Sequence, residues 1–211
     1  NPRLVYCSIS GFGDVGPLSE AGAADYVVQA FSGFASLNGQ PGEQFEQFRF
    51  SGFLDLTASS VAVEAILAAL LQRETTSEGQ KIDIAMLECA LEMQSSRLAE
   101  QLLGGKVPMP AGHRSMRSAP DRAFKTLDDI VFVTVHSNSE WHRFVTAIDR
   151  PDLAHNPQFT TNAARVENTV ALDGELEPVF AAKSAVWWNR VLNRNGIACS
   201  IALKFETLRH H

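Results

Sequence analysis

Residues Asp55–Ile84, DLTASSVAVEAILAALLQRETTSEGQKIDI, carry a helix, a turn and a strand in immediate succession. Ala58, Val61, Ala62, Ala65, Ile66, Ala69 and Leu70 recur at i, i+3 and i+4, which predicts a long helix starting near Asp55. Its apolar face is wide and rich in alanine, a pattern suited to close packing inside a larger body. Thr75–Gln80 (TTSEGQ) is a turn, and Lys81–Ile84 (KIDI) reads as a short strand. Working outward, Met86, Leu87, Ala90, Leu91, Leu98 and Leu102 predict a third helix ending at Gly104-Gly105. Upstream, Leu4–Ser10 (LVYCSIS) is a short apolar run closed by Gly11-Phe12-Gly13-Asp14-Val15-Gly16-Pro17, a buried strand followed by a loop. Ala24, Val27, Val28, Phe31 and Ala35 place a helix over residues 25–37, and a polar loop over 39–52 precedes the quoted stretch. The first half therefore alternates strand, helix, helix, strand, helix, which predicts an α/β layer arrangement.

The pattern changes after Lys106–Asp121, which holds three of the nine prolines together with Gly112. Beyond it, Arg122–Thr126 and Ile130–His136 flank a tight Leu127-Asp128-Asp129 turn, as in a hairpin. A helix over 139–148 follows, with Ser137 and Glu140 spaced as a capping box. Two more helices are expected near 163–181 and 184–193, the second closed by Gly196. Ile197–Leu203 returns to strand character. The expected organisation is a first domain over 1–106 and a small α+β domain over 107–211.

With 211 residues, 45% hydrophobic and 20% charged, the chain is an ordinary globular one of one or two domains. A net charge of −6 argues against nucleic acid or an anionic membrane as partner. The longest apolar run, Ser59–Leu71, is shorter than the roughly 18–20 residues a membrane span needs, so a core helix is expected. Cys7, Cys89 and Cys199 are widely spaced and odd in number, the usage of a reduced, cytoplasmic protein. The opening Asn1-Pro2-Arg3 runs straight into strand character, without a leader-like segment.

Asp55 and Asp25 each stand where a helix is expected to begin. A carboxylate there accepts backbone N–H groups and is stabilised as an anion by the helix dipole. That suits a helix cap, the commoner role, and equally a nucleophile or base. Gly11-Phe12-Gly13 follows a strand but lacks the third glycine of a dinucleotide fingerprint, so it reads as a turn. Arg114, Arg117 and Arg122 form a local basic cluster, either a solvated linker or a rim that meets anionic groups. His136 and His142 lack metal-pair spacing, and no metal is expected. Trp187-Trp188 has no interleaved basic residues and reads as core plus partial surface rather than a base-stacking platform.

Several of these stretches resemble the family III CoA-transferases. Asn1-Pro2-Arg3-Leu4 through Ser10-Gly11-Phe12-Gly13 is similar to that family's NPRL-strand-SGFG segment, and Ala24–Gly33 (ADYVVQAFSG) to its next block. Asp55-Leu56-Thr57 before the alanine-rich helix, Arg73–Asp83, Gly112-His113-Arg114, Ala123–Thr126, Asp149–Leu153 and Gly196–Cys199 continue the likeness in order. The resemblance implies a partial Rossmann-like large domain followed by a small α+β domain, coenzyme A as an acyl-CoA substrate, and carboxylic acids as donors and acceptors. It implies Asp55 as the catalytic nucleophile, with Asp25 as a substrate contact; Arg114 and Arg117 are expected as further substrate-binding residues because ligand sites favour the junction between two halves of a chain. It also implies truncation at both ends, and with it a homodimer or a second chain supplying the missing segments. A catalytically incomplete family remnant serving as a binding or assembly module, and an acyl-CoA racemase, are the alternatives. Ala24 stands where the racemase branch has a histidine, which argues against α-proton chemistry. Ser115-Met116-Arg117-Ser118 stands where formyl-CoA transferase has a glycine-rich loop, which argues against formyl-CoA.

Overall fold

A computed structural model of the protein describes residues 1–43 and 45–210. The chain divides into two units, residues 1–112 and residues from His113 onward. In the first, β1 (Tyr6–Ser10) and β2 (Lys81–Ala85) form a parallel pair, with Tyr6 opposite Lys81 and Ser10 opposite Ala85. A parallel pair needs a crossover, and α1 (Asp25–Phe31) and α2 (Phe53–Thr76) supply it. The helix expected over 25–37 stops at Phe31, because Gly33 takes a left-handed φ of 80°; a 3-10 turn, Phe34–Leu37, follows. The single helix expected after β2 is two, α3 (Met86–Met93) and α4 (Ser95–Gly104). The break falls at Gln94, whose side-chain amide donates to the Ser32 carbonyl at 2.8 Å.

The core of this unit is thin. Val28, Leu54, Ala58, Ala62, Ile84, Met86, Cys89 and Ala90 are buried together. The expectation of a core helix holds for one stripe, Leu54, Ala58, Ala62 and Ala69. The rest of α2 presents Leu56, Val63, Leu67 and Leu71 to solvent. Among the described residues, α2 is also the one helix long and apolar enough to cross a membrane by length and composition. The helix is longer than the run Ser59–Leu71, because its first turn begins before Asp55 and its last includes Arg73 and Glu74.

In the second unit β3 (Asp121–Lys125), β4 (Ile130–Thr134) and β5 (Ala198–Ile201) form an antiparallel sheet in that order. Among the described residues the α-helices that accompany it are α5 (Asn138–Ala147), α6 (Asn162–Glu167), α7 (Thr169–Ala181) and α8 (Ala185–Arg194). The helix expected over 163–181 is interrupted at Asn168. The capping box at Ser137 and Glu140 forms in both directions. The core is aromatic: Phe124 stacks on Phe180 with ring centroids 4.2 Å apart, and the Trp188 indole N–H donates to the Phe180 carbonyl. Trp141, Phe144 and Phe159 complete it. Arg165 is wholly buried here; its guanidinium donates to the carbonyls of Ala119 and Phe159, and burial pulls its pKa down to about 10.

Residues 205–210 form a 3-10 turn, and His211, the last of the terminal histidines, lies outside the described residues. The three cysteines are unpaired, and burial pushes the Cys199 thiol up to about 11 and raises that of Cys89. A thiol shifted upward is a poor nucleophile, so these two read as packing groups.

Candidate active site at the start of α2

The first turn of any helix leaves backbone N–H groups without intrahelical partners. At α2 the residue in the capping position is Gly52, which has no side chain to offer. The acceptor comes from a different helix. Asp25, in the first turn of α1, is 4% exposed, and its Oδ2 accepts from the backbone N–H of Leu54 at 2.5 Å and of Asp55 at 3.2 Å. Its Oδ1 accepts from the Gln29 side-chain amide, also at 2.5 Å. Gln29 sits one helical turn beyond Asp25, where an amide and a carboxylate at i, i+4 meet on one face.

The same Gln29 side chain pairs with the backbone of Phe48, donating to its carbonyl at 3.0 Å and accepting from its N–H at 2.9 Å. Gln47 donates to the Tyr26 carbonyl, and the Tyr26 hydroxyl donates to the Arg49 carbonyl. The Arg49 guanidinium lies over the Tyr26 ring, 3.8 Å from its centroid. α1 therefore fastens residues 47–49 just upstream of α2. Phe34, Phe53, Phe48 and Phe50 form a chain of ring contacts alongside, with centroids 5.1–5.8 Å apart.

Asp55 differs from Asp25 in every respect that matters for chemistry. It is exposed, and the capping role open to it from sequence falls to Asp25 instead. A carboxylate at the positive end of a 24-residue helix, on a backbone pinned by a buried neighbour, is anchored yet accessible. The structure thus brings together Asp25 and Asp55, two of the four residues singled out by sequence. Arg114 and Arg117 belong to the second unit. There Arg114 pairs with the buried Asp173, its Nε donating at 2.7 Å, and Arg122 pairs with the same carboxylate at 2.5 Å and with Glu177 at 3.1 Å. The Arg117 side chain is exposed. Gln29 and Gly52 were not singled out from sequence. The i, i+4 spacing of Asp25 and Gln29 was the available signal for the first, and no local signal marks the second. No group of three or more potential metal ligands occurs among the described residues.

The whole chain, residues 1–211, matches the family described as CoA-transferase family III. It is similar to the acetyl-CoA:oxalate CoA-transferase of Acetobacter aceti, 32% identical over 197 residues, covering 93% of this chain and 51% of the relative. It is also similar to the succinate–glutarate CoA-transferase of Agrobacterium fabrum, 30% identical over 192 residues, 91% of this chain and 47% of the relative. Among solved structures, a CAIB/BAIF family protein from Brucella suis superposes with a TM-score of 0.83 at 27% identity, over 100% of this chain and 56% of that one. The chain spans about half the length of the relatives it matches. The match in sequence and in mixed α/β architecture leads to one statement: the chain belongs to CoA-transferase family III.

Proposed function

We propose that the protein moves coenzyme A from an acyl-CoA donor to a carboxylate acceptor, with Asp55 as the covalent nucleophile. The observation that carries this reading is the contrast at the start of α2, an exposed Asp55 carboxylate on a backbone held by the buried Asp25. A carboxylate oxygen of Asp55 attacks the acyl-CoA carbonyl, the carbon–sulfur bond breaks, and CoA leaves as its thiolate. The product is a mixed anhydride. The thiolate then attacks Cγ of Asp55, forming an aspartyl-CoA thioester and releasing the donor carboxylate. The acceptor carboxylate attacks the same Cγ and expels the thiolate, and the thiolate takes the new acyl group from the second anhydride, restoring Asp55. Each step exchanges one acyl bond for another, with no net proton or electron, so a fixed nucleophile suffices.

Both oxygens of Asp25 are occupied by Gln29 and by the backbone of α2, which favours a role in fixing Asp55 over direct contact with substrate. Arg114, held by Asp173, and Arg117 are proposed only as substrate-binding residues. The two similar transferases are named for short carboxylic acids, so acetyl-CoA and succinyl-CoA with oxalate and glutarate form the first panel of donors and acceptors. The parallel β1–β2 pair is proposed as part of a larger Rossmann-like sheet, completed by further segments or by a second copy, which would cover the exposed side of α2. The test is mass spectrometry of the protein incubated with each acyl-CoA. A covalent CoA adduct on the peptide containing Asp55, absent in Asp55→Ala, is expected. An adduct that persists in Asp55→Ala would overturn the assignment.

A further inference from the structure

Gly52 carries a constraint that its backbone does not explain. Its φ of −72° lies in the region open to any residue, so left-handed geometry is not the reason for glycine here. The reason is space. A Cβ built on Gly52 would overlap Asp55 Oδ2 and come within 3.2 Å of both Cβ and Cγ of Asp55. The Asp55 carboxylate is therefore seated on the bare Cα of Gly52, three residues earlier in the chain. The Gly52 carbonyl accepts from the Leu56 N–H at 3.0 Å, so the seat is part of the same first turn as the carboxylate it supports. On the other side, Gln29 holds the Phe48 backbone, four residues before Gly52, and Asp25 holds the N–H of Asp55 itself.

We infer that Gly52 is a positioning residue: the absence of a side chain keeps open the place beside its Cα where the Asp55 carboxylate lies at the start of α2, with Asp25 and Gln29 fixing the backbone around it. This rests on the reading of Asp55 as the nucleophile and specifies what sets its orientation. A Cβ at 52 takes the place of Asp55 Oδ2 and presses on Cβ and Cγ of Asp55, so the carboxylate turns away from this position.

The experiment uses the protein carrying this chain, acetyl-CoA and succinyl-CoA as donors, and the variants Gly52→Ala, Asp55→Ala and the double variant. For Gly52→Ala the rate of covalent CoA adduct formation is expected to fall about 100-fold, the scale of a misplacement of about 1 Å in a reacting group, while KM for the donor changes little. A wild-type rate in Gly52→Ala would overturn the inference. An adduct in Asp55→Ala would instead overturn the nucleophile assignment, so the two failures are distinguishable. Thermal unfolding supplies a second, activity-independent readout. If the added methyl meets the Asp55 carboxylate, its cost in stability is smaller once that carboxylate is truncated, so the two substitutions are non-additive; only the contact with Cβ of residue 55, which alanine retains, persists in the double variant. If Gly52→Ala fails to fold, recovery of folding in the double variant supports the inference. An equal loss in both backgrounds overturns it, because the glycine would then serve only the loop.

Discussion

The two units solve the problem of making a core in opposite ways. The second buries large rings, Trp141, Phe124, Phe144, Phe159, Phe180 and Trp188, between an antiparallel sheet and helices. The first buries mostly small side chains, with Ala58, Ala62 and Ala90 among its eight central residues, around a two-stranded parallel pair. A large apolar side chain is worth about 1.5–3 kcal/mol when buried, and an alanine far less, so the aromatic unit has the larger reserve of stability. Antiparallel sheets tolerate one wet face, whereas parallel strands are normally covered on both. The first unit instead leaves Tyr6 and Ile9 of β1 about half exposed, along with one side of α2. The unit with the small reserve also carries Asp55. The residues that hold the start of α2 and Asp55 are consequently polar links between elements, Asp25 to α2 and Gln29 to Phe48, rather than deep packing.

The largest effect expected from this contrast is in the aromatic core. Phe180 is fully buried between Phe124 and Trp188, so Phe180→Ala should cost about 3–5 kcal/mol through lost burial and the cavity left behind. All three tryptophans, Trp141, Trp187 and Trp188, lie in the second unit, so tryptophan fluorescence during denaturant unfolding reads that unit alone. Hydrogen exchange at Ile84 and Ala85 reads the first. Loss of fluorescence stability with β2 protection unchanged is the expected outcome. Equal loss at both would show the units unfolding as one, and the contrast would fail.

A smaller effect tests the other side. Ala58 is completely buried on the inner stripe of α2, where helix approaches neighbour closely. Ala58→Leu should cost about 1–3 kcal/mol by overpacking, despite adding apolar surface. Exchange at Ile84 and Ala85 should rise while tryptophan fluorescence is unmoved. A stabilised Ala58→Leu would mean that this core is loose rather than close-packed.

The strength of the sequence signal followed the same divide. Periodicity located β1, α2, β2 and the hairpin to within a few residues, because those patterns are set by local burial. The capping box at Ser137 was readable since both partners lie within one turn. The cap of α2 was not, because its acceptor, Asp25, is 29 residues away from Leu54. For the same reason Asp55 looked like a cap from its neighbours alone, and it took the fold to assign that task elsewhere. The break between α3 and α4 has no local signal: it falls at Gln94, whose side-chain amide donates to the carbonyl of Ser32, a partner 62 residues earlier. Gly52 is legible only once the Asp55 side chain is in place above it.

The smallest effect lies at the cap of α5, where one of the second unit's polar details can be set against its rings. Ser137 Oγ accepts from the Glu140 N–H at 3.1 Å, and the Glu140 carboxylate accepts from Ser137 N–H at 3.0 Å and His136 N–H at 2.7 Å. Ser137→Ala should therefore cost about 0.5–2 kcal/mol. The two backbone donors hold the Glu140 carboxyl below its ordinary 4.5 in the folded state. A pKa depressed on folding means that the ionised form is favoured in the folded protein, so its contribution is complete above the unfolded value. It is lost as pH falls through the lowered folded value, and it does not vary near neutrality. Glu140→Gln should accordingly lower the fluorescence-detected unfolding midpoint at pH 7, and the gap to wild type should close as the medium is taken well below 4.5. A gap independent of pH would assign the cap's strength to shape and amide hydrogen bonding alone. The charge would then have no part in it, and the second unit's stability would rest still more completely on its buried rings.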